Sequence, residues 1–262
     1  MSFAAATAVT AREDGVYGAE IAEGWEIAGN ANGGYLLAIA ARAVAVATGR
    51  PDPVTITAHF LAPGRPGPAT VTVDALRAGG RHSTAFFTLA AAERTLLAGI
   101  ATTTDLGTNT GPLLVDVAPP HLPPPDECVL LVPGDPLPPP FVGMVEVRLH
   151  PDDAPFRGTP SGVARMRGWF RLRDGEELDS IALVQAVDAF PPTSFNANLP
   201  VTWTPTVELT AHVRRHACDG WLACAFSTRN IAGGYLETDG EIWDEAGSLV
   251  AQSRQLQLVP SQ

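Results

Sequence analysis

The sequence predicts an α+β protein made of two fused copies of one small domain, each a single long helix wrapped by an antiparallel sheet. Three observations lead there. Val54-Thr55-Ile56-Thr57-Ala58-His59-Phe60 returns as Val207-Glu208-Leu209-Thr210-Ala211-His212-Val213, an offset of 153 residues. Without a gap, the same offset carries Gly67 onto Gly220, Gly80 onto Gly233 and Leu96-Leu97-Ala98 onto Leu249-Val250-Ala251. A repeat this long exceeds a solenoid unit and suits a whole small domain. Each copy then reads as one helical stretch followed by four alternating ones, the order expected of a sheet laid round one helix.

In the first copy Gly24-Trp25 precedes a turn, and the Leu- and Ala-rich run 32–48 is helical, with Asn30 or Asn32 as its N-cap. Strands are expected at 54–61, 69–77, 83–91 and 95–105. In the second copy Gly168-Trp169 precedes a helix over 177–190, and strands are expected at 206–215, 221–228, 235–244 and 249–259. The two Trp residues are 144 apart, nine fewer than the strands, which places about nine extra residues around 191–203. Matched in this way, Trp25 and Trp169 are expected in the core. Between the copies, Pro112, Pro119, Pro120, Pro123 to Pro125, Pro133, Pro136 and Pro138 to Pro140 make 111–140 an extended connector with no helix interior or central strand. The expected units are therefore 1–110, the linker 111–140, and 141–262.

Composition narrows the function. With 262 residues, 45% of them hydrophobic, the chain can bury a full core. No apolar run reaches the ~18 residues of a membrane span, and Arg12, Glu13 and Asp14 interrupt the N-terminal run, so a soluble, unprocessed chain is expected. A formal charge of −11 disfavours nucleic acid, which needs a basic surface. All seventeen basic residues are Arg, which excludes Schiff-base and P-loop lysine chemistry and leaves Arg side chains or a helix N-terminus to hold an anion. Cys128, Cys218 and Cys224 are odd in number and lack ligand spacing, so neither a disulfide framework nor a zinc site is expected, and a reducing cytoplasm is.

Further motifs resemble those of the double-hotdog acyl-CoA thioesterases, the TesB-like acyl-CoA thioesterase II family, over nearly the whole chain. Asn32-Gly33-Gly34-Tyr35-Leu36-Leu37 resembles the family's Gly-Gly helix start, and Ile56 to Gly64 its first long strand and turn. Asp188 falls at the family's helix Asp, Thr206 at the Thr opening the next strand, and Gln255 at the Gln of the last strand. Where the family follows that Gln with Glu-Gly, this chain has Leu256-Gln257, which leaves Gln257 and Gln252 as competitors for the role. By strand alternation Gln257 shares a face with Gln255 and Gln252 does not. The resemblance implies a double hotdog, hydrolysis of acyl-CoA thioesters, Asp188, Thr206 and Gln255 as catalytic residues, and no metal or redox cofactor.

Taken on their chemistry, the same residues give a consistent account. Asp188 ends an apolar helix ahead of Pro191-Pro192, where the macrodipole disfavours a carboxylate, so its pKa should be raised toward that of a general base; the plainer alternative is an exposed turn Asp. Thr206 and Gln255 can donate and accept but cannot act as bases, so they would position a water. The constant offset puts Pro53 opposite Thr206 and Thr102 opposite Gln255, and the first helix has no acid. One working site per chain is therefore expected, in the second copy, with the first kept for packing and for the tunnel wall. Gly33 and Gly34 serve either an oxyanion hole or close packing. Asn32, Gly33, Gly34, Tyr35, Arg214 and Arg229 are candidate substrate-binding residues; Arg214, Arg215 and Arg229 would meet coenzyme A phosphates unless they are ordinary exposed arginines. His59 and His212 recur in both copies and are read as structural. A homodimer is expected. The alternatives are a non-catalytic acyl-CoA or lipid-binding hotdog protein, or a hotdog dehydratase or hydratase, for which an Asp and His about five residues apart near a helix start are missing.

Overall fold

The computed structural model describes residues 1–135, 137–199, 201 and 203–259, with the backbone alone of Asp174. Pro136 of the expected connector and Pro200 and Thr202 of the expected insertion lie outside the described residues. A short helix α1 (Phe3–Ala6) leads into β1 (Val9–Glu13) and β2 (Val16–Ile21). A small ribbon, β3 (Glu26–Ile27) with β4 (Asn30–Ala31), delivers the chain to α2 (Gly33–Thr48). Then come β5 (Asp52–Phe60), β6 (Gly67–Ala78), β7 (Ser83–Ala91) and β8 (Arg94–Thr104). The second half follows as β9 (Val129–Leu130), β10 (Val145–Leu149), β11 (Arg165–Leu172), α3 (Ser180–Ala186), β12 (Thr206–Val213), β13 (Leu222–Ser227), β14 (Ile231–Ala232), β15 (Tyr235–Trp243) and β16 (Leu249–Leu258).

Apart from the ribbon, these strands form one antiparallel sheet in the order β1-β2-β6-β7-β8-β5-β12-β16-β15-β13-β11-β10-β9, with β14 beside β15. It is an α+β hotdog: a long antiparallel sheet packed against two helices that also pack on each other. α2 is buried from Gly34 to Ala41 and again at Ala43 and Val44, which is why its sequence is apolar all round rather than striped. Asn32 caps its start by accepting the Tyr35 N–H, and Gly49 ends it in the left-handed region at φ 64°. The halves join where β5 pairs with β12. There Thr57 lies opposite Thr210, and their hydroxyls meet at 2.9 Å, so two residues related by the repeat touch each other on its pseudo-twofold axis.

The sheet corrects two readings of the repeat and adds to a third, that of the connector. Trp25 is fully buried, stacked on Tyr35 at 4.6 Å, but Trp169 lies within β11, only partly buried, with its indole donating to the Pro123 carbonyl at 2.8 Å. Trp169 faces Ala223, and Thr70, the counterpart of Ala223, faces Gly18, so the sheet matches Trp169 with Gly18 rather than Trp25. The two Gly-Trp pairs are a coincidence of sequence. Extra length does lie before β12: residues 187–205 separate it from α3, whereas only 49–51 separate β5 from α2. Part of that difference is a shorter helix, 7 residues against 16.

The second correction concerns the last strand. Leu97 lies opposite Phe60 and Ala251 opposite Val213, so the offset there is 154. Gln255 therefore corresponds to the buried Ala101 and not to Thr102, which faces the other side and bonds Thr84. The third concerns the connector, which is more than a spacer. Its second part supplies the edge strand β9 and the carbonyls of Pro123 and Pro125 that Trp169 and Arg148 bind. An edge is where a Pro-rich segment can still pair. Among the described residues no helix is long and apolar enough to cross a membrane.

Candidate active site

Asp188 stands just beyond α3. Its backbone N–H still closes a turn onto the Gln185 carbonyl at 3.1 Å, and Pro191-Pro192 prevent the helix from continuing. That placement throws the carboxylate across the helix pair onto the start of α2. Oδ2 accepts the Gly34 N–H at 2.7 Å and the Asn32 side-chain amide at 3.2 Å, and the same amide also reaches the Asp188 carbonyl at 3.1 Å. Oδ1 accepts from Gln255 Nε2 at 2.9 Å.

Both glycines are required for this approach. A Cβ on Gly34 would lie 2.8 Å from Asp188 Cβ, and one on Gly33 would lie 3.0 Å from both Asp188 Oδ2 and the Phe60 ring. The Gly33-Gly34 pair is thus a close-packing device, and Gly34 also spends its amide on the carboxylate. It is not free to bind an oxyanion. Tyr35 N–H is taken by Asn32 Oδ1, which leaves Gly33 as the first-turn amide with no acceptor among the described residues.

Burial pushes the Asp188 carboxyl up to about 6, against the opposing pull of the Gly34 amide, Gln255 and Asn32. Its own helix's negative end and its apolar neighbours were the expected causes, and burial is the one that acts. The actual setting differs, because the carboxylate faces the positive end of α2, which favours its charge, yet desolvation outweighs that and the three hydrogen bonds.

Thr206 reaches the same spot through a backbone irregularity. Leu209, Ala211 and Val213 point inward along β12, so strict alternation would turn Thr206 outward. A bulge between Thr206 and Glu208 reverses it, setting Thr206 opposite the inward-facing Gln257. Gln255 Nε2 then donates to Thr206 Oγ1 at 2.5 Å. With both amide hydrogens of Gln255 engaged, the Thr206 hydroxyl accepts there and keeps its own proton to give elsewhere. A water placed between Thr206 Oγ1 and Asp188 Oδ1 could accept from the one and donate to the other.

The competitors lie elsewhere. Gln257 accepts from Thr238 at 3.2 Å, and Gln252 faces outward and binds Arg214. Tyr35 is fully buried against Trp25, its hydroxyl donating to the Ala6 carbonyl at 2.8 Å and accepting the Ala22 N–H, with its pKa pushed up to about 12 by burial; it is a core residue away from the site. Arg214 sits beyond the far end of β12 from Thr206, Arg215 leans on Ser248, and Arg229 pairs with Asp239 on the surface. None of the three meets the Asp188 cluster. His59 and His212 are on the outer face of β5 and β12.

Gln185 was missed. Fully buried in α3, it donates to Asn32 Oδ1 at 3.1 Å and so fixes the amide that holds Asp188. A lone polar residue inside an apolar helix, three before the Asp, was the available signal. At the opposite end of the helix pair, the pseudosymmetric position holds Pro53 for Thr206 and Ala101 for Gln255, and Arg42 binds Asp179, the α3 cap, at 3.3 Å. That end lacks the polar set. Among the described residues no group of three or more His, Cys, Asp or Glu could hold a metal.

Comparison with known proteins follows the same division. Residues 21–104 match the family model of the acyl-CoA thioesterase N-terminal domain and residues 125–259 that of its C-terminal domain. A crystal structure of a proposed thioesterase II from Thermobifida fusca YX is 31% identical and covers 100% of this chain and 98% of that one, with a TM-score of 0.89. A hot dog fold protein of unknown function from Alicyclobacillus acidocaldarius superposes with a TM-score of 0.88 at 21% identity, over 99% and 98% of the two chains. An uncharacterized Mycobacterium tuberculosis protein is 28% identical over 94% of this chain and 92% of its own length.

Proposed function

This chain belongs to the TesB-like acyl-CoA thioesterase family, whose two domain models it matches in order, and on that premise we propose that it hydrolyses an acyl-CoA thioester to a carboxylic acid and coenzyme A. The observation that carries the reading is the Asp188 carboxyl, near pKa 6 and held at the start of α2 beside a Thr hydroxyl with a proton to spare. In the proposed reaction a water donates to Asp188 Oδ1 and accepts from Thr206. Asp188 takes its proton as the water oxygen attacks the thioester carbonyl. The oxyanion is met by the Gly33 N–H, and collapse expels the thiolate, which recovers the proton from Asp188. Gln255 holds Thr206 and Asp188 in mutual register and stays unchanged throughout. No step calls for a metal or a redox cofactor.

The reading carries with it the units 1–110, 111–140 and 141–262, a cytoplasmic location and a homodimer. Its test is release of free thiol from a panel of acyl-CoA chain lengths. Turnover of at least one chain length supports it. Tight acyl-CoA binding with no thiol release would instead favour a non-catalytic binding protein, and water addition to an enoyl-CoA a hydratase.

A further inference from the structure

We infer that Gln257 is a specificity-determining residue whose side-chain amide holds a hydroxyl or keto oxygen on the acyl group. The preferred substrate is then the thioester of a short oxygenated acid rather than of a plain fatty acid. The proposed reaction employs Asp188, Thr206 and Gln255 and leaves two polar neighbours on the same inward face without a task, Thr238 at 5% exposure and Gln257 at 6%. Gln257 lies opposite Thr206 where β12 pairs with β16, and Thr238 lies opposite Gln255 where β16 pairs with β15. These four side chains form one patch, and Gln255 ties it to the Asp188 carboxylate and the Thr206 hydroxyl.

Only one end of the Gln257 amide is satisfied. Its Oε1 accepts from Thr238 Oγ1 at 3.2 Å, which leaves Nε2 as the free end. Nε2 meets no acceptor among the described residues, yet it is not sealed in, unlike the enclosed Gln185 Oε1, so a ligand atom can reach it. A buried donor without a partner costs free energy that an acceptor on a ligand recovers. The other end is held in place by a row of hydroxyls. Thr238 Oγ1 is 3.1 Å from Thr228 Oγ1, which donates to the Glu237 carbonyl at 2.6 Å and lies 2.7 Å from Thr193 Oγ1. Such a network fixes the direction in which Nε2 points.

The first half shows what the same place in the fold looks like without this provision. Ala85 and Ala101, both fully buried, stand where Thr238 and Gln255 do, and Thr103 stands where Gln257 does with its hydroxyl spent on Thr48 at 2.8 Å. That wall closes with no polar group to spare. A wall that guides only an alkyl chain needs none either, and an unpaired buried amide there would be a cost without a return. Spacing fits an oxygen close to the thioester. Two residues along a strand span about 7 Å, so the Gln257 amide stands roughly that far from the Gln255 amide that holds the reacting pair. Allowing about 2.9 Å for the hydrogen bond itself, the remainder matches an oxygen on roughly the third or fourth carbon of the acyl group.

The inference rests on the acyl-CoA reading, and its test separates the two. Wild type and Gln257→Leu, an apolar change of similar size, are assayed for thiol release on butanoyl- and hexanoyl-CoA and on their 3-hydroxy, 3-oxo and 4-hydroxy counterparts. Binding of the same compounds is measured calorimetrically, and a melting curve is recorded for each protein. The expected result is that wild type favours at least one oxygenated acyl group over the plain one of equal length by about tenfold or more in kcat/KM. In Gln257→Leu that ratio falls by a similar factor. Equal efficiency of wild type on plain and oxygenated substrates overturns the inference, needs no variant to read, and leaves the thioesterase reading standing. So does a ratio unchanged in Gln257→Leu, the outcome if the amide holds a water or the thiol arm common to every acyl-CoA. If no thioester is cleaved, the thioesterase reading fails by itself. Tighter binding of an oxygenated acyl-CoA that is lost in Gln257→Leu then still supports the subsite, and the absence of any such preference overturns it.

Discussion

Gly34 donates its backbone N–H to Asp188 Oδ2 at 2.7 Å across 154 residues of chain, one half of the repeat closing on the other. The expectation that the second copy holds a complete site, with the first kept for packing, is therefore revised. Asn32 and Gly34 of the first half hold the carboxylate, and Asp188, Thr206 and Gln255 of the second surround it. Fusion of the copies fixes this meeting in one chain. The pseudotwofold end has the same strands but Pro53 and Ala101 at the matching positions, so it lacks the hydroxyl of Thr206 and the amide of Gln255.

The pH dependence follows from burial. A base must be ionised to act, so kcat/KM should rise with pH through an apparent pKa of about 6 and level off above it. Asn32→Ser keeps a capping side chain but removes the amide bond to Oδ2, one of the contacts that lowers the pKa. Its profile should move to higher pH, with a fall in Tm as well, because Gln185 Nε2 and the Asp188 carbonyl lose a buried partner. A profile that does not move in this variant would count against the arrangement.

Stability should carry the same signature. The folded pKa of Asp188 lies above its unfolded value, so folding favours the protonated form. The associated stability is present below about pH 4 and is lost as pH rises through about 6. Between those limits wild type should lose up to about 1.4 kcal/mol per pH unit relative to Asp188→Asn. Parallel denaturant titrations at pH 4, 5, 6 and 7 measure it, and parallel curves for the two proteins would contradict the raised pKa.

Thr206→Val should lower kcat about 10- to 100-fold while Thr206→Ser stays within about threefold, because only the hydroxyl is used. Gln255→Leu should resemble Thr206→Val, since it strips one partner from both Thr206 and Asp188. Steady-state kinetics on a substrate turned over by wild type decide the matter. Equal activity of Thr206→Val and wild type would remove Thr206 from the mechanism.

Gly34→Ala pits two effects against each other. Alanine in a helix gains about 1 kcal/mol over glycine. The new Cβ would sit 2.8 Å from Asp188 Cβ and 3.2 Å from the Gln185 carbonyl, an overpacking cost of about 1–3 kcal/mol. Net destabilisation is expected, with a fall in kcat larger than the Tm change alone explains, because the helix pair must part at the reacting carboxylate. Thermal melts read beside kcat test this; a more stable, fully active Gly34→Ala would refute the close approach.

How much of this was legible in the sequence differs by element. The long strands were readable because one buried face imposes alternation, and 83–91 was placed to the residue. The short strands β1, β2, β9, β10 and β14 carry too few residues to show a period. β11 was hidden by its charged outer face of Arg165, Arg167 and Arg171. α3 was read too long, as its apolar run continues through Val187 to Phe190 after the helical bonding stops. At the site, Asp188, Thr206 and Gln255 came from a family resemblance, and nothing in the alternation placed Thr206 inward, since a bulge does so. The Gln185–Asn32 bond joins residues 153 apart and became visible only when the helices were seen to touch.

The most direct measurement is thiol release by Asp188→Asn beside wild type on the same acyl-CoA, with binding of that substrate and the melting curve recorded for both. Loss of a base that removes the water's proton should lower kcat by about 10²–10⁴-fold. Substrate binding should stay near that of wild type, and the fold should be no less stable at neutral pH. Asp188→Asn turning over at the wild-type rate would contradict the account, whatever else about the fold holds.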